Sequence, residues 1–213
     1  FLLHSQLRQD DFQLYTLNEY RETNTTSLSC YYNAVIPAFE RLKEERKIGS
    51  WGIGGLGQTK AILEALNHDI QPEAIQCVVN PLNSAGAIGY VDQDFDPQKI
   101  LTESQKVGVP ILGIRAVQAG ALTLEMDREP HPSGFDIKDF EDYDKAEPFR
   151  KLASEWNINP SILAHRYALS AEKVSSVILG VKNREELLEC IEAESLGELN
   201  QDQISAIDTA LSR

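Results

Sequence analysis

The stretch Ser175-Ser-Val-Ile-Leu-Gly-Val-Lys-Asn-Arg-Glu-Glu-Leu-Leu-Glu189 decides how this chain folds. Val177, Ile178 and Leu179 form a β-branched and aliphatic run suited to a strand buried on both faces, and Leu187, Leu188 and Ile191 then recur at helical spacing. The pattern predicts a strand, a tight Gly180-Val181-Lys182-Asn183 turn and an amphipathic helix. Such a junction turns backbone N–H groups and the positive end of the helix dipole outward, with Lys182 and Arg184 as cations beside them. That is a seat for phosphate. The competing reading is an ordinary βα loop with solvated charges.

Working outward, the same alternation recurs. Ile48 to Ile53 reads as a strand interrupted by glycines, followed by a Gly54-Gly55-Leu56-Gly57 turn and a helix from Thr59 to Leu66 that turns Ile62, Leu63 and Leu66 inward. Ile75 to Asn80 is the next strand. After a loop from Pro81 to Asp96 comes a helix from Pro97 to Lys106, stopped by Gly108. Val109 to Ile114 is again a strand, with Arg115 to Gly120 as its exit loop. Nearer the start, Phe1 to His4 reads as a short strand, and residues 9 to 30 as a long polar connection with an extended piece at Phe12 to Leu17. A helix from Tyr32 to Arg46 carries Val35, Phe39 and Leu42 on one face.

Toward the other end, Leu124 to Glu147 is acidic and rich in Pro and Gly, which predicts a long surface loop. Two helices follow, the first patterned by Phe149, Leu152 and Trp156, the second capped by Asn159-Pro160 and bearing Ile162, Leu163, Arg166 and Leu169. Ile204, Ile207 and Leu211 mark a closing helix from Gln201. Five apolar strands spaced by helices imply an α/β fold with a parallel sheet covered by helices. An open doubly wound sheet and a (β/α)8 barrel both satisfy that order, although for a barrel the count is three strands short and about 250 residues would be usual.

Composition narrows the function. At 213 residues and 42% hydrophobic, the chain can bury one sizeable core, and one domain is the default. A net charge of −13 and a pI near 4.7 would repel nucleic acid and anionic membrane surfaces. Cys30, Cys77 and Cys190 lie far apart in no metal-ligand spacing, as expected of reduced thiols in a cytoplasmic protein. No run approaches the ~18 apolar residues of a membrane span.

Four segments together resemble the second part of an aldo/keto reductase: Lys43-Glu-Glu-Arg-Lys-Ile-Gly-Ser-Trp-Gly-Ile53, Ile75-Gln-Cys-Val-Val-Asn-Pro-Leu82, Asn159-Pro-Ser-Ile-Leu-Ala-His-Arg-Tyr167 and Val177-Ile-Leu-Gly-Val-Lys-Asn183. The resemblance covers nearly the whole chain, from strand four of that barrel to the helix after strand eight. It implies a TIM barrel, incomplete here with about five parallel strands, whose first three βα units belong ahead of Phe1. It also implies the chemistry: hydride passes from NADPH (or NADH) to a small-molecule carbonyl, a Tyr hydroxyl protonates the oxygen, a Lys and an Asp tune that Tyr, and a His orients the carbonyl. His4 matches the His; the Asp, Tyr and Lys are expected upstream.

Position by position, Gln76 matches the glutamine whose amide holds the nicotinamide carboxamide, a task that needs a donor and an acceptor together. Gly54 and Gly55 stand where the family usually has Ser-Asn, and Ile114 where an aromatic ring stacks on the nicotinamide. Arg115 could reach the pyrophosphate, or pair instead with one of the many carboxylates. The Gly180, Val181, Lys182 and Asn183 turn aligns with the adenine-ribose phosphate site, with Lys182 the first candidate for a 2′-phosphate contact and Arg184 the second. Glu186 falls where many members place an Arg, Glu189 matches an adenine-contacting acid, and Cys190 replaces a common Asn. His68, His131 and His165 read as structural or solvated.

Three functions fit these residues. The first is a carbonyl reductase of which this is the larger part. The second is a non-catalytic nucleotide-binding regulatory barrel, which the glycines at 54 and 55 and the aliphatic Ile114 would suit. The third is a fragment completed by a companion segment or chain; five strands alone leave an open sheet edge, so the isolated chain is expected to be unstable, oligomeric or accompanied by further residues.

Overall fold

Local signals fix most of the helices. A computed structural model describes residues 1–12, 23–89, 92 and 94–212. Strands β1 (Leu2–Leu3), β4 (Gly52–Gly54), β5 (Ile75–Val78), β6 (Ile111–Ile114) and β7 (Val174–Val177) form one five-stranded parallel sheet in that order. Strands β2 (Gln6–Arg8) and β3 (Thr25–Ser27) form a separate parallel pair. This is the succession of an incomplete (β/α)8 barrel. By its internal contacts the chain divides into two compact units, Phe1–Cys77 with Ile88–Leu112, and Val78–Ala87 with Gly113–Arg213.

In the first unit an α-helical turn, Leu28–Cys30, runs through a π-helical Tyr31–Val35 into α1 (Ile36–Glu44). Helices α2 (Thr59–Leu66) and α3 (Pro97–Val107) follow β4 and β5. Asp96 caps α3 by accepting from Lys99 N at 3.0 Å, and Gly108 ends it at φ +79°, a left-handed conformation that glycine adopts without strain. The core gathers Leu7, Tyr31, Ile36, Trp51, Ile53, Ile62, Leu66, Ile75 and Ile100, all under 3% exposed. Most of the predicted extended piece at Phe12 to Leu17 lies outside the described residues.

The second unit holds α4 (Ile137–Lys145), α5 (Glu147–Glu155), α6 (Pro160–Leu169), α7 (Arg184–Leu196) and α8 (Gln201–Ala210). Phe149, Leu163, Leu122 and Ile207, each fully buried, form its core. Asn159 caps α6 through Ser161 N, and Asn200 with Gln203 closes a reciprocal capping box on α8.

Three expectations need correction here. The surface loop from Leu124 to Glu147 contains helix α4, whose inner face is made of Asp139 and Asp142 instead of leucines. These carboxylates are buried because they have internal partners. Asp139 takes bonds from Arg115 Nη2 (2.7 Å), Arg128 Nη2 (3.0 Å) and Ala87 N (3.0 Å); Asp142 takes bonds from Gln118 Nε2 (2.7 Å) and Ser84 Oγ (2.5 Å). Second, the last strand is Val174–Val177, not Val177 to Leu179, and it is not buried on both faces. Ser175 and Ser176 are exposed, as are Ile178 and Leu179, and β7 is the last strand in the sheet order, beside β6 among the described residues. Third, Leu187, Leu188 and Ile191 face outward, and α7 buries Cys190 and Ala193 instead. Two small side chains let α7 lie close against α6.

Candidate functional site

In the second unit, the Gly180 to Asn183 turn, the loop from Val117 to Arg128, the first turns of α6 and the first turns of α7 enclose a cavity of about 620 Å³. Five of the sequence-predicted residues line it: Gly180, Val181, Lys182, Asn183 and Glu189. Arg115 and Arg184 do not.

The turn is organised by a reciprocal cap. Asn183, extended at φ −148°, accepts from Glu186 N at 2.8 Å, while the Glu186 carboxylate reaches back to Lys182 N (2.8 Å) and Asn183 Nδ2 (3.2 Å). The Lys182 ammonium pairs with Asp127 and lies 3.6 Å from Glu186 Oε1. Glu189 ties α7 to the cap of α6 by accepting from Asn159 Nδ2 at 2.8 Å and from Ser161 Oγ. Glu125 and Glu185 complete a lining with five carboxylates against two cations, Lys182 and Arg128.

Deeper in the same cavity lie Cys190, which the resemblance aligns with a common Asn, and His165, which sequence reasoning left out of the site. His165 Nδ1 is 2.8 Å from the Ser161 carbonyl, which can only accept, so Nδ1 carries the proton and Nε2 is left to accept from the Cys190 thiol at 3.6 Å. Burial pushes the His165 pKa below its ordinary value. Burial first, then Glu189 and Glu186, pushes the Cys190 thiol up, so it is a protonated wall group and not a nucleophile. The signal that could have found His165 is its place in the second turn of α6, whose capped start lines the same cavity.

Arg115 stands at φ +61°, just after β6, with its guanidinium held by Asp139 Oδ1 (2.7 Å) and Gln118 Oε1 (3.0 Å). Burial lowers its pKa and Asp139 opposes that shift.

In the first unit, His4 is exposed directly after β1. Gln76 lies in β5 opposite Gly54 of β4. Gly55 N donates to Gln76 O at 2.7 Å, and a Cβ on Gly55 would come 2.2 Å from that oxygen. The strands approach too closely there for a side chain, and the Gly55 N–H is already used. His68 stacks on Tyr32 at 4.4 Å, and His131 bonds within its own turn to Ser133 at 2.9 Å. Among the described residues, no group of three His, Cys, Asp or Glu is placed to hold a metal. No described helix is long and apolar enough to cross a membrane.

The profile of the aldo/keto reductase family matches residues 4–212. The chain belongs to the aldo/keto reductase family. This aldo/keto reductase chain is similar in fold to the aldo-keto reductase AKR11C1 from Bacillus halodurans. The holo form gives a TM-score of 0.65 at 19% identity over 87% of this chain, and the apo form 0.60 at 22% over 82%. The chain spans 56% and 55% of those two structures. Among curated proteins none matches it.

The half-buried His165 has a consequence for stability. A histidine whose folded pKa lies below its unfolded value of about 6.5 binds its proton more readily in the unfolded chain. Its contribution is therefore complete above that value and is lost as pH falls toward the folded pKa. Urea unfolding at pH 7 and pH 5 should show a smaller loss of stability in His165→Gln than in the wild type. Equal losses would place the imidazole in water.

Proposed function

We propose that this aldo/keto reductase chain serves NAD(P)H-dependent reduction of a small-molecule carbonyl, with the adenosine half of the nucleotide in the second-unit cavity. The observation that carries the reading is that the Gly180 to Asn183 turn and Glu189 line one cavity of about 620 Å³, within the range of ligand pockets. The lining suits an adenosine: open backbone at Gly180, carboxylates that accept from ribose hydroxyls and the adenine amine, and the neutral His165 and Cys190 as walls. The nucleotide, when bound, supplies the hydride.

The chain's own residues would position the reactants. The Gln76 amide holds the carboxamide by donating and accepting at once. The exposed His4 imidazole orients the carbonyl oxygen by a hydrogen bond. The Asp, Tyr and Lys that move the proton come from residues ahead of Phe1 in the complete protein, which on this reading works in the cytoplasm with its three thiols free. Arg184, beside the mouth, offers charge to the phosphates. Arg115 supports the loop through Asp139.

Titrating the complete protein with NADH and NADPH, and following dihydronicotinamide fluorescence, tests the reading. Binding below ~100 μM is expected, and no change at that concentration would remove it, since little binding energy is then left. His4→Ala should lower kcat for an aromatic aldehyde about a hundredfold at saturating nucleotide. Wild-type turnover in that variant would exclude His4 as the orienting group. A second reading, a nucleotide-binding regulatory barrel, draws on Gly55, whose N–H is spent on Gln76 O. Binding with no turnover of any carbonyl would favour it.

A further inference from the structure

We infer that the second-unit cavity selects a nucleotide with a free ribose 2′-hydroxyl, NADH or NAD⁺, over the 2′-phosphorylated form, and that Glu186 is the residue that selects. The inference rests on the nucleotide reading given above.

Three of the donors that a phosphate could use at this helix start are already taken. Lys182 N and Asn183 Nδ2 both donate to the Glu186 carboxylate, at 2.8 and 3.2 Å, and Glu186 N donates to Asn183 Oδ1 at 2.8 Å. A carboxylate at the third position of α7 is thus an internal anion in the seat that the helix dipole offers. The two cations that line the cavity are engaged as well, and Arg184 lies outside the lining. Lys182 pairs with Asp127, and Arg128 is turned to Asp136 Oδ2 (2.8 Å) and Asp139 Oδ2 (3.0 Å). Glu125, Glu185 and Glu189 add negative charge around the same space.

A 2′-phosphate brings about −1.5 to −2 charges at pH 7 and only acceptor oxygens. Against this wall it would meet like charge, with Lys182 N, Asn183 Nδ2 and Glu186 N already bonded to the chain's own oxygens. A diol does the opposite. Ribose hydroxyls donate, and bonds from O–H to a carboxylate are among the stronger ones available. The same carboxylates that repel the phosphate therefore bind the hydroxyls.

The test measures the two dissociation constants on the complete protein, by fluorescence titration with each dihydronucleotide separately. NADH should bind at least tenfold more tightly than NADPH. Glu186→Gln, which keeps an acceptor oxygen for the cap and loses the charge, should lower the ratio at least fivefold. Asp127→Asn, at a half-exposed position, should lower it in the same direction by freeing Lys182. Wild-type protein that binds NADPH as tightly as NADH would overturn the inference and leave the nucleotide reading standing, whereas no binding of either would remove both. A preference for NADH that neither variant moves would overturn the role of Glu186.

Discussion

Asp139→Ala should destabilise the protein by about 3–5 kcal/mol, measured by urea unfolding at pH 7. The Asp139 side chain is 5% exposed and the Arg115 side chain 17%. Three donors converge on the one carboxylate: Arg115, Arg128 and the backbone N–H of Ala87. Removing it leaves a buried guanidinium with Gln118 as its remaining neutral partner, at 3.0 Å, and an amide N–H with none from that side chain. The cost comes mainly from the uncompensated charge, because the pair itself gains little over its desolvation. Gly86 packs against the same cluster at φ +54°, and a Cβ there would sit 2.0 Å from Asp139 Oδ1, so the space cannot be refilled from that side. Against a typical total of about 5–15 kcal/mol, the loss should be visible as a large fall in the urea midpoint. A change under about 1 kcal/mol would mean that water reaches Arg115 and replaces the carboxylate.

The same cluster shows where the sequence could be read and where it could not. Helix α2 was legible to the residue, and α3, α6 and α8 nearly so, because their signals are local: apolar residues at helical spacing, with Pro at the first turn of α3 and α6, Asn159 at the cap of α6 and Gly108 at the stop of α3. Helix α4 was not legible. Its buried positions are aspartates, and what makes an aspartate an interior residue is a partner 24 residues away in the chain, Arg115 for Asp139 and Gln118 for Asp142. Hydrophobic periodicity carries no trace of that. Helix α7 failed for the opposite reason. It shows leucines at helical spacing, yet its packed face is chosen by the small residues that let α6 approach.

The candidate site divides along the same line. The Gly180 to Asn183 turn could be found from glycine and a capping residue ahead of a helix. The lining brought by Asp127, Ser161 and His165 comes from other elements, and a single sequence does not pair them. The charge of the seat also depended on structure. Lys182 and Arg184 suggested a phosphate site, and the geometry shows Lys182 neutralised and the helix start occupied by Glu186.

Gly57→Ala should cost the first unit about 3–5 kcal/mol, since it combines backbone strain with the loss of strand contacts. Gly57 sits at φ +124°, outside the regions open to L side chains. Its backbone also runs against β2. A Cβ would lie 2.2 Å from Leu7 O and 2.6 Å from Leu7 N, both of them backbone atoms that no rotamer change can move. Those atoms hold β2 in place: Leu7 N donates to Leu56 O at 3.2 Å, and Gln58 N donates to Leu7 O at 2.7 Å. Leu7 itself is fully buried, so a shift of β2 also loosens core packing. Gly108→Ala is the control that separates strain from crowding. Gly108 has a positive φ too, +79°, but nothing lies within 4 Å of its added Cβ, so the expected cost is about 1 kcal/mol. Circular dichroism with urea unfolding on both variants reads the difference. Equal costs for the two would show that β2 can move away from the Gly57 turn, and that its register is set from β3 alone.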